Sequence, residues 1–253
     1  MKLSQRQQQV LQRVQREGFA AIEQLAESFA VTPQTVRRDI NELCSLGLLR
    51  RYHGGAGLPS TVENIAYNTR QVLYLEEKRR IATLLAEYLP DQASLFINLG
   101  TTNEEVARAL LGHQGLRVIS NNLNVANILC ENKDFQVLIA GGMVRHRDRG
   151  ITGEAAVDFI RKFRVDYAVL GISGIDRDGT LLDYDYQEIR VAEAMMANSR
   201  QVLMVADHSK FTRTAMVRLG HLRQVDALFT DRPVPDEMIP VFREAETEIL
   251  VAG

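Results

Sequence analysis

Seven short apolar runs alternate with helix-period segments across the last 160 or so residues of this chain, and few folds satisfy that alternation. The runs lie at 94–99, 116–120, 135–140, 165–172, 201–206, 227–230 and 248–251. Helical periodicity occupies 104–111, 125–131, 155–163, 188–198 and 236–245. Strands that are apolar at nearly every position need cover on both faces, and helices between successive strands supply it. The pattern predicts an α/β domain with a mostly parallel sheet. A helix with Ile81, Leu84, Leu85 and Leu89 on its apolar face, stopped by Pro90-Asp91, precedes the first strand.

Open sheets of this kind bind ligands beyond the carboxyl ends of their strands. Polar, glycine-containing elements sit at those ends. Gly100, Thr101 and Thr102 follow the first run, where hydroxyls and helix N-terminal N–H groups make a small anion cradle. Asn121 and Asn122 follow the second run, Gly141 and Gly142 the third, and Gly153-Glu154 opens a later helix. Gly171 to Gly174 with Asp176 follow the fourth, and Asp207-His208-Ser209-Lys210 the fifth. This set of hydroxyls, amides, carboxylate and lysine suits a small phosphorylated polyol. A phosphate loop of the Walker type and the dinucleotide glycine fingerprint are both missing from the sequence, which disfavours ATP and NAD. No cofactor is expected. Cys44 and Cys130 have no Cys or His at ligand spacing, so neither a metal site nor a disulfide is expected.

The first sixty residues read differently. Val10, Leu11 and Val14, with Leu3 upstream, mark one helix ending near Gly18. Ile22, Leu25, Ala26 and Phe29 mark a second, two turns long. Thr32 is a good N-cap and Pro33 suits the first helical position, so a third helix is predicted from Pro33 to Leu46, stopped by Gly47. Its stripe is Val36, Ile40 and Leu43. Its other face carries Gln34, Thr35, Arg37, Arg38 and Asn41, side chains able to donate to phosphates and base edges. Two short helices with a tight turn, the second basic outside, is the helix-turn-helix pattern. Residues 48–56 then read as a strand and a glycine-containing wing that presents Arg50, Arg51 and His53 to backbone phosphates or a minor groove, with Pro59-Ser60-Thr61 as its exit. Charge agrees with this division. Residues 1–57 carry eight basic and five acidic side chains, whereas the remainder carries 22 and 27, within a net charge of -2.

These motifs resemble the DeoR family of bacterial repressors. The resemblance lies in Val31–Ile40, Asn41-Glu42-Leu43, Gly47 to Arg50 and His53 to Ala56, and continues through Gly100-Thr101-Thr102, Asn121-Asn122, Gly141-Gly142, Gly171 to Asp176, Glu188 and Asp207 to Phe211. It implies a winged helix-turn-helix, with Thr32 among its DNA contacts, and an effector domain like ribose-5-phosphate isomerase, with Glu188 in the ligand site. The stretches 121–127 and 170–176 resemble the branch of the family induced by glycerol 3-phosphate, which implies that metabolite as inducer. Two positions depart from the family. Many members have an acidic residue at the place of Asn98, and a lysine at the place of Ala192.

The expected organisation is therefore 1–57 winged helix-turn-helix, 58–76 linker and 77–253 effector domain. The expected partners are double-stranded operator DNA and a small phosphorylated metabolite. A homo-oligomer is expected, since one winged module covers too little DNA for high specificity. No apolar run reaches the roughly 18 residues of a membrane span, and the first residues lack a signal peptide's apolar stretch, so no membrane partner and a cytoplasmic location are expected. Two other readings remain at this point: a repressor answering to another phosphorylated sugar, and a phosphosugar isomerase using Asp176, Glu188, His208 or Lys210 as its base.

Overall fold

The computed structural model describes residues 3–58 and 64–253, and the chain divides into two compact units between Tyr74 and Leu75. The wing exit at Pro59-Ser60-Thr61 lies outside the described residues.

In the first unit, α1 (Gln5–Glu17) starts in a capping box. Ser4 Oγ accepts from the Gln7 N–H, and the Ser4 N–H donates to the Gln7 side chain. Gly18 at φ 77° ends it. Strand β1 (Phe19–Ala21) leads into α2 (Ile22–Ser28) and α3 (Pro33–Ser45). Thr32 Oγ1 accepts from the Thr35 N–H at 3.2 Å, the cap expected of it. Val36, Ile40 and Leu43 are buried with Val10, Val14 and Leu25 in one small core. Strands β2 (Arg50–Tyr52) and β3 (Gly55–Gly57) form the wing, and β3 is the middle strand between β1 and β2. Gly55 is required there: a Cβ would lie 2.3 Å from the Ala20 carbonyl oxygen. Strand β1 was not anticipated, because three residues carry no period. Helix α4 (Tyr67–Val72) lies inside the stretch 58–76 expected to be linker.

The second unit opens with α5 (Leu75–Tyr88), then β4 (Ser94–Ile97), α6 (Thr101–Ala109), β5 (Arg117–Ser120), α7 (Leu123–Leu129) and β6 (Gln136–Ile139). A hairpin of β7 (Met143–Val144) and β8 (Ile151–Thr152) follows, then α8 (Glu154–Ile160), β9 (Val165–Gly171), β10 (Gly174–Ile175), β11 (Thr180–Asp183), α9 (Tyr186–Ala197), β12 (Ser199–Val205), β13 (Val217–His221), β14 (Ala227–Thr230), α10 (Ile239–Ala245) and β15 (Glu248–Val251). All seven apolar runs form one parallel sheet in the order β15-β14-β12-β9-β4-β5-β6. Leu95 and Ile97 pack into a core with α5, α6 and α7; Phe96 packs into the other with α8, α9 and α10. Strands β10, β11 and β13 make a small antiparallel sheet that lies outside the seven apolar runs.

The order of strands locates the crevice. From β4 the chain runs outward through β5 and β6, then returns to β9 beside β4 and runs out the other way. The switch point therefore lies between the carboxyl ends of β4 and β9, where an open α/β sheet leaves room for a ligand.

Candidate functional site

On the first unit, Thr32 at the cap of α3 and Gln34, Arg37, Arg38 and Asn41 on the helix are exposed, and Thr35 is half-buried. The helix also carries two acids, Asp39 and Glu42, and α1 holds both. Arg6 makes a two-pronged contact with the buried Asp39, and Gln7 Nε2 donates to Glu42. Arg38 shares Glu42 at 3.3 Å, while Arg37 makes no ion pair among the described residues. From β2, Arg51 donates to Asn41 Oδ1 at 2.6 Å, tying the wing to α3. Arg50 lies 5.8 Å from the centre of the Tyr52 ring, which meets Phe19 edge-on. His53 is exposed in the turn before Gly54. The face thus joins α3 and a basic wing, with its acids turned onto α1.

On the second unit, the switch point is built from Asn98 and Gly171. Asn98 Oδ1 accepts from the Gly171 N–H at 3.0 Å and from Asn103 Nδ2. An aspartate would accept the same two bonds, so the departure from the family alters only the second side-chain atom. Ala192, the other departure, packs in the core. Gly100 at φ 142° precedes α6, and Thr101 and Thr102 are buried at its start. Glu104, in the same first turn, is buried as well and accepts from Asn124 Nδ2 at 3.0 Å.

Just past the end of β5, Asn121 Nδ2 donates to the Ile151 carbonyl. Asn122 Oδ1 instead caps α7, accepting from the Asn124 and Val125 N–H groups. Buried Oδ1 of Asn103, Oδ1 of Asn121 and Nδ2 of Asn122 have no hydrogen-bond partner among the described residues. Gly141 and Gly142 are exposed and lead into the β7–β8 hairpin.

Two further groups lie around this crevice. Glu188, on the first turn of α9, meets Arg145 at 2.5 Å and Arg147 at 3.4 Å. Burial, the main cause, and repulsion from Asp183 push its carboxyl up to about 7 against the pull of Arg145. Arg145 also holds Asp148 and Asp185. Asp207 is almost fully buried and caps the short turn His208–Thr212, and Lys210 Nζ lies 3.9 Å from its Oδ2. Burial opposes its ionisation, yet Lys210, Arg213, the Ser209 hydrogen bond and Lys78 together hold it below the usual carboxylate range. Asp176 does not join these groups: it is exposed in the turn between β10 and β11.

The sequence reading passed over Lys78, Asn103, Arg145, Arg147 and Arg213. Lys78 left a signal, for it precedes Ile81, Leu85 and Leu89 by three, seven and eleven residues and so falls on the apolar stripe of α5. It is buried in the structure.

A winged helix-turn-helix and an open α/β unit with a polar crevice are the parts of a transcription regulator that reads DNA with one unit and senses a ligand with the other. The DeoR-like helix-turn-helix domain matches residues 6–62, and the DeoR C terminal sensor domain matches residues 74–232. The chain belongs to the DeoR family of helix-turn-helix transcriptional repressors. It is 49% identical over 249 residues to the glycerol-3-phosphate regulon repressor of Escherichia coli (strain K12), covering 98% of this chain and 99% of that protein. The repressor of the same description from Haemophilus influenzae is 49% identical, over 100% and 98%. The HTH-type transcriptional repressor CsqR of Escherichia coli is 44% identical, over 97% and 94%. These relatives are repressors and not enzymes, which removes the isomerase reading. A solved D-ribose-5-phosphate isomerase overlays with a TM-score of 0.41 and 12% identity, covering 54% of each chain, a likeness in fold too slight to bear on activity. Among the described residues no helix is long and apolar enough to cross a membrane.

Proposed function

We propose that this protein is a cytoplasmic repressor of glycerol and glycerol 3-phosphate metabolism genes, released from its operator by glycerol 3-phosphate. Residues 1–57 read DNA through Thr32, Gln34, Thr35, Arg37, Arg38 and Asn41 of the α3 segment and Arg50, Arg51 and His53 of the wing. Residues 58–76 connect them to the sensing unit at 77–253. That unit binds the inducer near Asn98, Gly100, Thr101, Thr102, Asn121, Asn122, Gly141, Gly142, Gly171, Glu188, Asp207 and Lys210. The protein acts as a homo-oligomer, since two reading helices on repeated half-sites multiply specificity.

The observation that carries this reading is the 49% identity, over almost the full length of both chains, to repressors named for the glycerol-3-phosphate regulon in two genera. The unpartnered Oδ1 atoms of Asn103 and Asn121 support a ligand with hydroxyls to donate. The test is titration of an operator complex with glycerol 3-phosphate, glycerol and inorganic phosphate. Release by the first alone is the expected result, and indifference to it overturns the choice of metabolite. A second reading, induction by another phosphorylated sugar, is favoured by the 44% identity to a repressor whose name specifies no glycerol compound. A thermal-shift panel of phosphorylated three- to six-carbon compounds separates the two, because a ligand that binds only the folded state raises its melting temperature.

A further inference from the structure

Positive charge gathers around one buried carboxylate just after β12. Asp207 is 1% exposed, and Lys210 from the following turn lies 3.9 Å from it. Lys78 from the buried face of α5 and Arg213 from the end of the turn act on the same carboxylate. Lys210, Lys78 and Arg213 thus converge on this one carboxylate. A phosphate monoester, with about -1.5 to -2 charge at neutral pH, is the kind of anion such a cluster attracts.

Arg213 is the member of this cluster with an unmet demand. Its Nη1 is buried and has no hydrogen-bond partner among the described residues. A buried donor without an acceptor costs free energy, and a charged one more, so the site favours an occupant with acceptor oxygens. The residue is also fixed in place. Its carbonyl oxygen packs on Gly174, where a Cβ would come within 2.5 Å of it. Gly174 lies three residues past Gly171, the last residue of β9 and one wall of the switch-point crevice. The start of α6, the other anion cradle, differs: its first turn already holds the buried carboxylate of Glu104.

We propose that Arg213 is an anion-binding residue of the sensing unit, donating its buried guanidinium edge to the phosphate of a small phosphomonoester laid across the ends of β9 and β12. This rests on the reading of the protein as a sensor of a phosphorylated metabolite and adds the residue that holds the phosphate.

The experiment compares the full-length protein with Arg213→Met and Arg213→Lys, following release of an operator duplex by fluorescence anisotropy. Glycerol 3-phosphate, glycerol and inorganic phosphate are the probes. Operator affinity should stay within twofold in both variants. The glycerol 3-phosphate needed for half release should rise at least about 10-fold in Arg213→Met, the loss of one charge-assisted hydrogen bond. Arg213→Lys, which keeps the charge and loses the planar fork, should fall between the two. A Met variant released at the wild-type concentration overturns the proposal. A Lys variant released at that concentration does so too, and decides the matter where the Met variant does not fold. Release of wild type by inorganic phosphate as readily as by the ester overturns the assignment to a phosphomonoester.

If wild type ignores glycerol 3-phosphate, the same comparison is run with dihydroxyacetone phosphate, ribose 5-phosphate and fructose 6-phosphate. A shifted response to one of these sinks the glycerol 3-phosphate reading and leaves Arg213 in place. Silence towards all of them overturns both.

Discussion

Removing Arg37 and Arg38 together separates what α3 does on DNA from what it does in the fold. Both side chains are exposed, and Arg38 makes a single 3.3 Å contact with Glu42 one turn away while remaining 84% exposed. Such a pair contributes about 0.3–0.5 kcal/mol, and alanine is the better helix former, so the double alanine variant should lose less than about 1 kcal/mol of stability. On duplex DNA each phosphate contact contributes about 0.9 to the slope of log K against log salt. Losing two contacts lowers the slope by about 1.8, which between about 1 M and 0.15 M salt amounts to roughly 30-fold, or about 2 kcal/mol. The deficit should close as salt rises. An arginine that also reads a guanine edge would add about 1–3 kcal/mol that salt does not erase. Anisotropy titrations of an operator duplex at four or five salt concentrations, with thermal melts alongside, measure both parts. A folded double variant with wild-type affinity and slope would refute the assignment of α3 as the reading helix.

Three other perturbations test the local physics. Gly55→Ala drives a Cβ to 2.3 Å from the Ala20 carbonyl and 2.4 Å from the Phe19 ring, and neither the backbone of β1 nor the paired wing can retreat freely. Urea unfolding should record a loss of about 1–3 kcal/mol or more, and a wild-type midpoint would show that the wing is not held against β1. Thr32→Ala removes the acceptor for the Thr35 N–H and should cost about 1 kcal/mol by the same measurement; an unchanged midpoint would mean the cap is idle. Glu188 titrates near 7 in the folded protein, above its ordinary value. The native state therefore keeps a proton that the unfolded chain has released, and stability from this group falls as pH rises from about 4.5 towards 7. Glu188→Gln should flatten that part of the melting-temperature profile, and an unaltered slope would place the titration elsewhere.

What could be read from sequence was whatever local chemistry decides. Near-continuous apolar runs have no other home than a doubly covered sheet, so every strand of the parallel sheet was legible. Thr32-Pro33 fixed the start of α3 for the same reason, since cap and first turn are neighbours in the chain. The small antiparallel sheet was not legible. Its strands hold two to five residues, include Gly174, Arg218 and Gly220, and pair through distant partners such as Leu182 with Arg218. The crevice was half legible. Gly171 and Asn98 were expected at the strand ends, but Asn103 matters only because its amide turns back onto Asn98. Arg145 joins Glu188 across more than forty residues, a pairing no periodicity announces. Asp176 shows the opposite error: the Asp-Arg-Asp-Gly run is a hairpin turn, and its polar character serves the turn itself.

The proposed site also bears on how an inducer acts. A ligand that binds the DNA-competent and DNA-incompetent states equally shifts nothing, however tight it is. A 100-fold loss of operator affinity requires about 2.8 kcal/mol of differential binding. One hydrogen bond to a charged group contributes about 1.5–3 kcal/mol. A single buried contact such as that of Arg213 with a phosphate, made in one state and broken in the other, is therefore enough, and the remaining contacts are free to set selectivity. Neutral acceptors such as Asn103 and Asn121 suit that second task, because a ligand without hydroxyls leaves them buried and unpaired in whichever state binds it. The coupling is reciprocal: operator DNA must weaken inducer binding by the same factor by which inducer weakens operator binding. The free protein should thus bind glycerol 3-phosphate about 100-fold more tightly than its operator complex does, if release is 100-fold. A variant that lost only the phosphate contact would show the two inducer affinities drawing together, whereas one that lost only a hydroxyl contact would weaken both in parallel.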